Sequence, residues 1–327
     1  METTKLNLET IENCEITRLT GGNGFQMPRV ISPAADKDLK VFFEKNKSLI
    51  EEELHQNGAI LFRGWNVTTA EDFYTVMHSL SEETLKYTQR TSPRSEVTNK
   101  VYTSTDYPSD QEIKPHNESS YASTWPLLIA FFCFIEPSEG GETPITNNME
   151  MLKKLQESTI NTFREKGISY TRNMLNWLGL SWEEVYQTEN KSEVEDLLNK
   201  EKMNFEWIDD GHLRVKWDRP AFQKHPILDR EVWFNHSFFY HLLNQNPGLI
   251  SLVEKEDLPF RATLGDGTEI NEEIFKELQQ AYKSATITFP WQKGDVLLLD
   301  NMLFSHARNP FKGERKILVS MAKPVHY

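Results

Sequence analysis

The segment Lys114-Pro115-His116-Asn117-Glu118 sets an imidazole and a carboxylate two residues apart. In extended backbone, side chains at i and i+2 leave the same side of the chain, so both can reach one ion. A further imidazole, His306, follows about 190 residues later. Two His and one carboxylate suit Fe(II) and leave open positions for a chelating ligand and O₂. His-X-Glu is short enough to recur by chance, and nine His are present, so these residues alone favour a structural role. A zinc hydrolase uses the same donor types. A β-rich metal-binding protein without turnover would also need only these three ligands.

Arg315 separates those readings. From Arg315 to Ala322 the alternation puts Arg315, Ile317, Val319 and Met321 on one face. Three of the four are apolar, so the face points inward and carries the guanidinium with it. A buried guanidinium needs an anion, and bidentate carboxylate recognition is its usual use. Neighbouring Glu314 points the other way. A dicarboxylic co-substrate would supply the anion, whereas neither a hydrolase nor a passive metal binder needs such an anchor.

The elements that must position these groups are legible as periodicities. Leu39, Phe42, Phe43, Ile50 and Leu54 mark a helix over 36–56, stopped at Asn57-Gly58. Ala59–Arg63 reads as a short buried strand, and residues 70–85 as a helix with Phe73, Val76, Met77 and Leu80 on one face. Residues 1–33 read as a strand-poor lead-in with a turn at Gly21-Gly22-Asn23-Gly24. Strands follow at 97–105, at Leu127–Ile135 (buried on both faces) and at 143–147. Helices are predicted at 149–165, 180–188 and 192–202, and a hairpin over 204–214 turning at Asp209-Asp210-Gly211. The strand 231–235 and the helix 271–282, N-capped by Asn271, precede three closing strands at 285–289, 296–300 and 316–322. Many short strands with flanking helices predict an α+β, mainly β fold: a double-stranded β-helix, or jelly roll. No composition shift marks a boundary, so residues 1–327 read as one domain with a mixed helical and hairpin insertion at approximately 149–230.

Composition narrows the partners. The formal net charge is -13, with no clustered Lys/Arg, which argues against nucleic acid and anionic membrane. No apolar stretch reaches the roughly 18 residues of a membrane span. The N-terminus METTKLNLET has neither the basic nor the apolar region of a secretory signal. Two cysteines, Cys14 and Cys133, suit a reducing compartment, so a cytoplasmic location is expected.

Five separated segments carry a resemblance. They are Gly58–Gly64, His116-Asn117-Glu118-Ser119-Ser120-Tyr121, Gly140-Gly141-Glu142-Thr143-Pro144, Trp291–Val296, and His306-Ala307-Arg308-Asn309-Pro310-Phe311 through Arg315. In this order the chain resembles the taurine dioxygenase/clavaminate synthase (TauD/TfdA) superfamily over most of residues 55–323, and most nearly its amino-acid and peptide-intermediate hydroxylases. The resemblance implies an oxygenase using Fe(II), 2-oxoglutarate and O₂ to oxidise a C–H bond, releasing succinate and CO₂. It implies His116, Glu118 and His306 as iron ligands. Thr143 and Arg315 would hold the distal carboxylate of 2-oxoglutarate. The substrate would be a small molecule, such as an amino acid free or tethered to a carrier protein. Hydroxylation is the expected outcome, with desaturation or cyclisation as alternatives from the same chemistry.

Departures from the family pattern matter too. Val319 stands where taurine-type members carry a second Arg for a sulfonate, and Ser119 where relatives often carry Met. Glu118 keeps the carboxylate that related halogenases lack. Substrate-side candidates are Arg94, Ser104 and Asp106 ahead of the metal motif, Asn117 and Tyr121 beside it, and Asn235. Trp233-Phe234-Asn235 resembles a family segment near the active site, although ordinary core is the favoured reading there. His225, His236 and His241 read as structural or surface residues.

Overall fold

The computed structural model describes residues 11, 14–20, 24, 26–83, 85, 96–98, 101–103 and 107–327. An eight-stranded sheet runs in the order Cys14–Thr20, Gln26–Pro33, Ala59–Phe62, Val296–Asp300, Thr124–Ile135, Lys316–His326, Val101–Thr103, Glu96–Thr98. Opposite it lies a four-stranded sheet ordered Thr286–Ile287, Ile145–Asn147, Phe304–Arg308, Ile113–His116. Together they form the jelly roll.

The long apolar run is the hinge of this packing. In Thr124–Ile135, Leu127, Ile129, Phe131 and Cys133 face the interior between the two sheets. Leu128, Ala130 and Phe132 face the opposite way, under the helices. Its neighbours obey the same alternation: Leu297 and Leu299, with Ile317, Val319 and Met321, point inward, while Val296, Leu298 and Leu318 point to the helices. A period of two with both sets apolar is what a strand covered on both faces requires.

The outer layer is helical. Leu39–Asn57 starts at Asp38, whose carboxylate accepts from the Val41 N–H, and stops at Gly58 with φ 80°. Ala70–Leu80 opens on a reciprocal capping box between Thr69 and Asp72 and ends five residues before the predicted Leu85, because Ser81 is already extended. Glu272–Ala285 is capped by Asn271 as expected.

Two expectations are corrected. The lead-in is not strand-poor: Cys14–Thr20 pairs antiparallel with Gln26–Pro33, which runs parallel to Ala59–Phe62. Val30 and Ile31 are buried by that pairing, and the short, mixed sequence of an edge hairpin gave no clean alternation. Of the turn expected at Gly21–Gly24, only Gly24 lies within the described residues. The predicted helix 149–165 is two helices, Asn148–Leu152 and Glu157–Lys166. The segment after it also contains the unforeseen strand Ile168–Leu175, which pairs with His212–Arg219 on one side and Phe260–Leu264 on the other. With Asn204–Asp209 paired to the far side of His212–Arg219, this second four-stranded sheet continues past residue 230, and its core runs to Ala285 with Phe163, Trp217, Trp233 and Tyr282.

Candidate active site

Strand register brings the two distant imidazoles together. In the small sheet His306 is the direct partner of His116, with Ile145 on its other side. Their ring centroids are 4.4 Å apart. The strand carrying His116 ends there, and Ser119 adopts a left-handed φ of 56° that turns the chain. Glu118 projects from this turn, its Oε2 3.8 Å from His306 Nε2. One donor atom from each of the three residues falls within 4.8 Å of the others.

A second cluster, His55, His225 and Asp300, brings its donor atoms equally close together. Proton positions distinguish the two. His116 Nδ1 lies 2.9 Å from the Lys114 carbonyl, which can only accept, so Nδ1 carries the proton and Nε2 presents a lone pair. His225 is the reverse: its Nδ1 accepts from the N–H groups of Ile227 and Leu228, both at 3.2 Å. Its proton therefore sits on Nε2, 2.9 Å from Asp300 Oδ2. The first set presents ligands to a cation, and the second is a hydrogen-bonded clamp. Two imidazoles, one carboxylate and a lone pair fixed by a second partner fit a resident Fe(II).

The clamp supports the turn beside the triad. Asp300 Oδ1 accepts from the N–H groups of Met302 and Leu303 at 3.0 and 3.2 Å. Burial alone would raise the Asp300 carboxyl, but the hydrogen bonds from His225 and His55 outweigh it and hold the carboxyl below its ordinary value. Next in the chain, Asn301 brackets Glu118. Its Oδ1 accepts from the Glu118 N–H at 2.8 Å, and its Nδ2 donates to the Glu118 and Pro126 carbonyls at 2.9 and 2.8 Å. Nothing in the sequence flagged Asn301, because a bond to backbone leaves no periodic or motif signal.

Behind the triad lies a small cavity lined by His116, Phe131, Thr143, His306, Arg315 and Val319, among others. Arg315 Nε donates to the Gly141 carbonyl at 2.7 Å, and its Nη2 lies 3.4 Å from Thr143 Oγ1. Trp291 Nε1 donates to the same hydroxyl at 3.1 Å. Burial, and then the positive charge of Arg308, push the Arg315 guanidinium down to about 10. Gly140 and Gly141 make this corner feasible, with φ of 69° at both. A Cβ at Gly141 would sit 2.9 Å from Phe311 Cβ and 3.0 Å from Arg315 Cδ. Arg308 does not reach across the cavity: it donates to the carbonyls of Tyr107, Pro108 and Gln111, bracing the loop ahead of His116.

In front of the triad opens a larger cavity, about 320 Å³, walled by Tyr107, Tyr121, His236, Phe239, Tyr240 and Phe260. His116 and Glu118 reach it, so His116 borders both cavities. Tyr121 is there as expected. Asn117 is not: its amide is fully buried and donates to the carbonyls of Asn301 and Phe304 at 2.5 and 3.0 Å. Asn235 likewise turns into the protein, donating to the Ala221 carbonyl at 2.9 Å and accepting from Ser237. Arg94, Ser104 and Asp106 lie outside the described residues. His225 and His241 are structural, the latter bonded through Nε2 to the Ile270 carbonyl at 2.8 Å. His236 lines the outer cavity, contrary to expectation. The aromatic density of His236–His241 was the signal that could have found it.

A jelly roll with two imidazoles and a carboxylate at its mouth, beside a cationic corner, defines the architecture of a mononuclear iron oxygenase. The chain belongs to the family described as taurine catabolism dioxygenase TauD, TfdA, whose model matches residues 24–321. It is accordingly a dioxygenase dependent on Fe(II) and 2-oxoglutarate. Dapdiamide synthesis protein DdaC of Enterobacter agglomerans is 37% identical over 301 residues, covering 91% of each chain. A clavaminate synthase-like protein of Arabidopsis thaliana is 30% identical over 316 residues, covering 90% of this chain and 93% of its own. Among solved structures, PvcB of Pseudomonas aeruginosa superposes with a TM-score of 0.60 at 14% identity, covering 97% of this chain and 94% of its own. A taurine dioxygenase from Burkholderia xenovorans does so at 0.56 and 14%, covering 96% and 91%. These two likenesses speak to the fold. Among the described residues no helix is long and apolar enough to cross a membrane.

Proposed function

We propose that this single dioxygenase domain binds Fe(II) through His116, Glu118 and His306, and 2-oxoglutarate through Thr143 and Arg315. Its product would be a hydroxylated small molecule, the substrate being an amino acid or a carrier-bound aminoacyl intermediate. The observation that carries the reading is that Thr143 and Arg315 line one cavity with His116 and His306. A hydrolase or a passive metal binder has no use for a guanidinium aimed into that space.

When bound, Fe(II) with 2-oxoglutarate and O₂ supplies the oxidative decarboxylation to succinate and CO₂ and the C–H oxidation coupled to it. The chain's own part is placement. His116 holds its Nε2 lone pair forward because Lys114 fixes the proton on Nδ1. Arg315 and Thr143 receive the far carboxylate, and Gly141 keeps the guanidinium pointed inward. Phe131, Ile317 and Val319 line the same space and exclude water. In front, the aromatic walls orient the target carbon.

Val319 on the inward face, where a sulfonate-binding Arg would be needed, disfavours taurine. The relative named for dapdiamide synthesis supports a biosynthetic substrate. Two free cysteines are in keeping with a cytoplasmic location.

Anaerobic addition of Fe(II) and 2-oxoglutarate tests the assignment through the weak visible charge-transfer band of the chelate. Wild type should show it, and His116→Ala and Arg315→Ala should abolish or weaken it. An absent band in wild type, or an unchanged one in both variants, sinks the proposal.

A further inference from the structure

His236 has no part in the iron or 2-oxoglutarate sets, yet it lines the outer cavity beside His116, ring centroids 5.5 Å apart. Its position is tightly fixed. The His236 N–H donates to the Tyr170 hydroxyl at 2.8 Å, and its carbonyl accepts from the Tyr240 N–H at 3.0 Å. Tyr121 and Tyr240 pack against the ring at centroid distances of 4.9 and 4.7 Å. On one edge Nδ1 lies 2.7 Å from Ser120 Oγ. Among the described residues no protein group meets Nε2, which leaves that atom for a ligand in the cavity.

Ser120 settles the polarity of that atom. The Ser120 side chain is buried, and among the described residues its hydroxyl meets only His236. If the hydroxyl donates to Nδ1, its hydrogen is satisfied and the ring proton sits on Nε2. The opposite tautomer would strand a buried hydroxyl hydrogen, the costlier arrangement. A doubly protonated ring would carry hydrogen on Nε2 as well.

We infer that His236, oriented by Ser120, is a specificity-determining residue whose Nε2–H donates to an oxygen of the substrate, either a carboxylate or a carbonyl. A free amino acid offers the first and a carrier-bound acyl group the second. The inference rests on the reading of the outer cavity as the substrate chamber.

Two measurements test it. In the Zn(II)- and 2-oxoglutarate-loaded protein with ¹⁵N-labelled histidine, long-range proton–nitrogen correlation reads the ring tautomer. A proton on Nε2 is expected, and a bare Nε2 overturns the inference. Succinate release is then followed with the common L-amino acids as free acids, and with the same aminoacyl groups as N-acetylcysteamine thioesters. For the probes that stimulate wild type, His236→Leu should raise KM about tenfold, the loss of one hydrogen bond. His236→Gln keeps a donor and should stay within about threefold. The KM for 2-oxoglutarate should not move in either variant. An unchanged probe KM in His236→Leu overturns the inference. Stimulation by free acids assigns the acceptor to a carboxylate, and by thioesters to a carbonyl. A missing iron–2-oxoglutarate band would fault the proposed function, whereas an intact band with a bare Nε2 faults only the role of His236.

Discussion

Glu118 owes its place to Asn301, whose amide closes three hydrogen bonds around the turn that carries it. Asn301→Ala should weaken Fe(II) binding about 10- to 100-fold, the usual range for groups that orient a ligand. Calorimetric titration of the apoprotein with Fe(II) checks this, and unaltered affinity would refute it. Gly141→Ala should raise the KM for 2-oxoglutarate while sparing Fe(II) affinity, because the added methyl displaces Arg315 rather than the triad. The triad, Thr143 and Arg315 were legible because each carries a charge or a motif. Asn301 was not, since its work is done on backbone that only the fold brings near. Asn117 and Asn235 show the converse: polar residues beside the motif whose amides are consumed by carbonyls of the scaffold.

At the scale of the element, Thr124–Ile135 divides its side chains between two cores, so each substitution loads one layer. Phe132 is 1% exposed and stacks on Phe73 of the overlying helix at 5.3 Å. Phe132→Ala should cost about 3–5 kcal/mol. Urea melts should show a lower midpoint with unchanged slope, and the iron–2-oxoglutarate band should persist in the fraction that remains folded. Strands of this kind were readable from the sequence because both faces are apolar. Ile168–Leu175 was not, because Ser169, Thr171, Arg172 and Asn173 dilute its pattern, and its partners Phe260–Leu264 and His212–Arg219 are remote in sequence. The edge hairpin escaped for a related reason: half of it faces solvent.

For the whole molecule, ligands that bind only the folded chain add to its stability by mass action. Zn(II) or Fe(II) at about a hundredfold excess over its dissociation constant should contribute about 2.7 kcal/mol, raising the thermal midpoint. Chelator should reverse that rise, and His306→Ala should show none. Acid should act through Asp300. Its folded-state value lies below the unfolded one, so its contribution is complete above the ordinary carboxylate value of about 3.9. The contribution disappears as pH falls through the depressed value. The stability gap between wild type and Asp300→Asn should therefore narrow on acidification below about pH 4. A gap that widens there would contradict the assignment of Asp300 as the clamp's anion.

The pairing of His306 with His116 has a temporal consequence. The two ligands are far apart in sequence, and they become neighbours only when Phe304–Arg308 slots between Ile113–His116 and Ile145–Asn147. During synthesis this site therefore offers a metal at most His116 and Glu118, a weak bidentate pair, until Phe304–Arg308 has emerged. Metal capture is the seal on a finished barrel, and a truncated or stalled chain stays unable to engage oxygen.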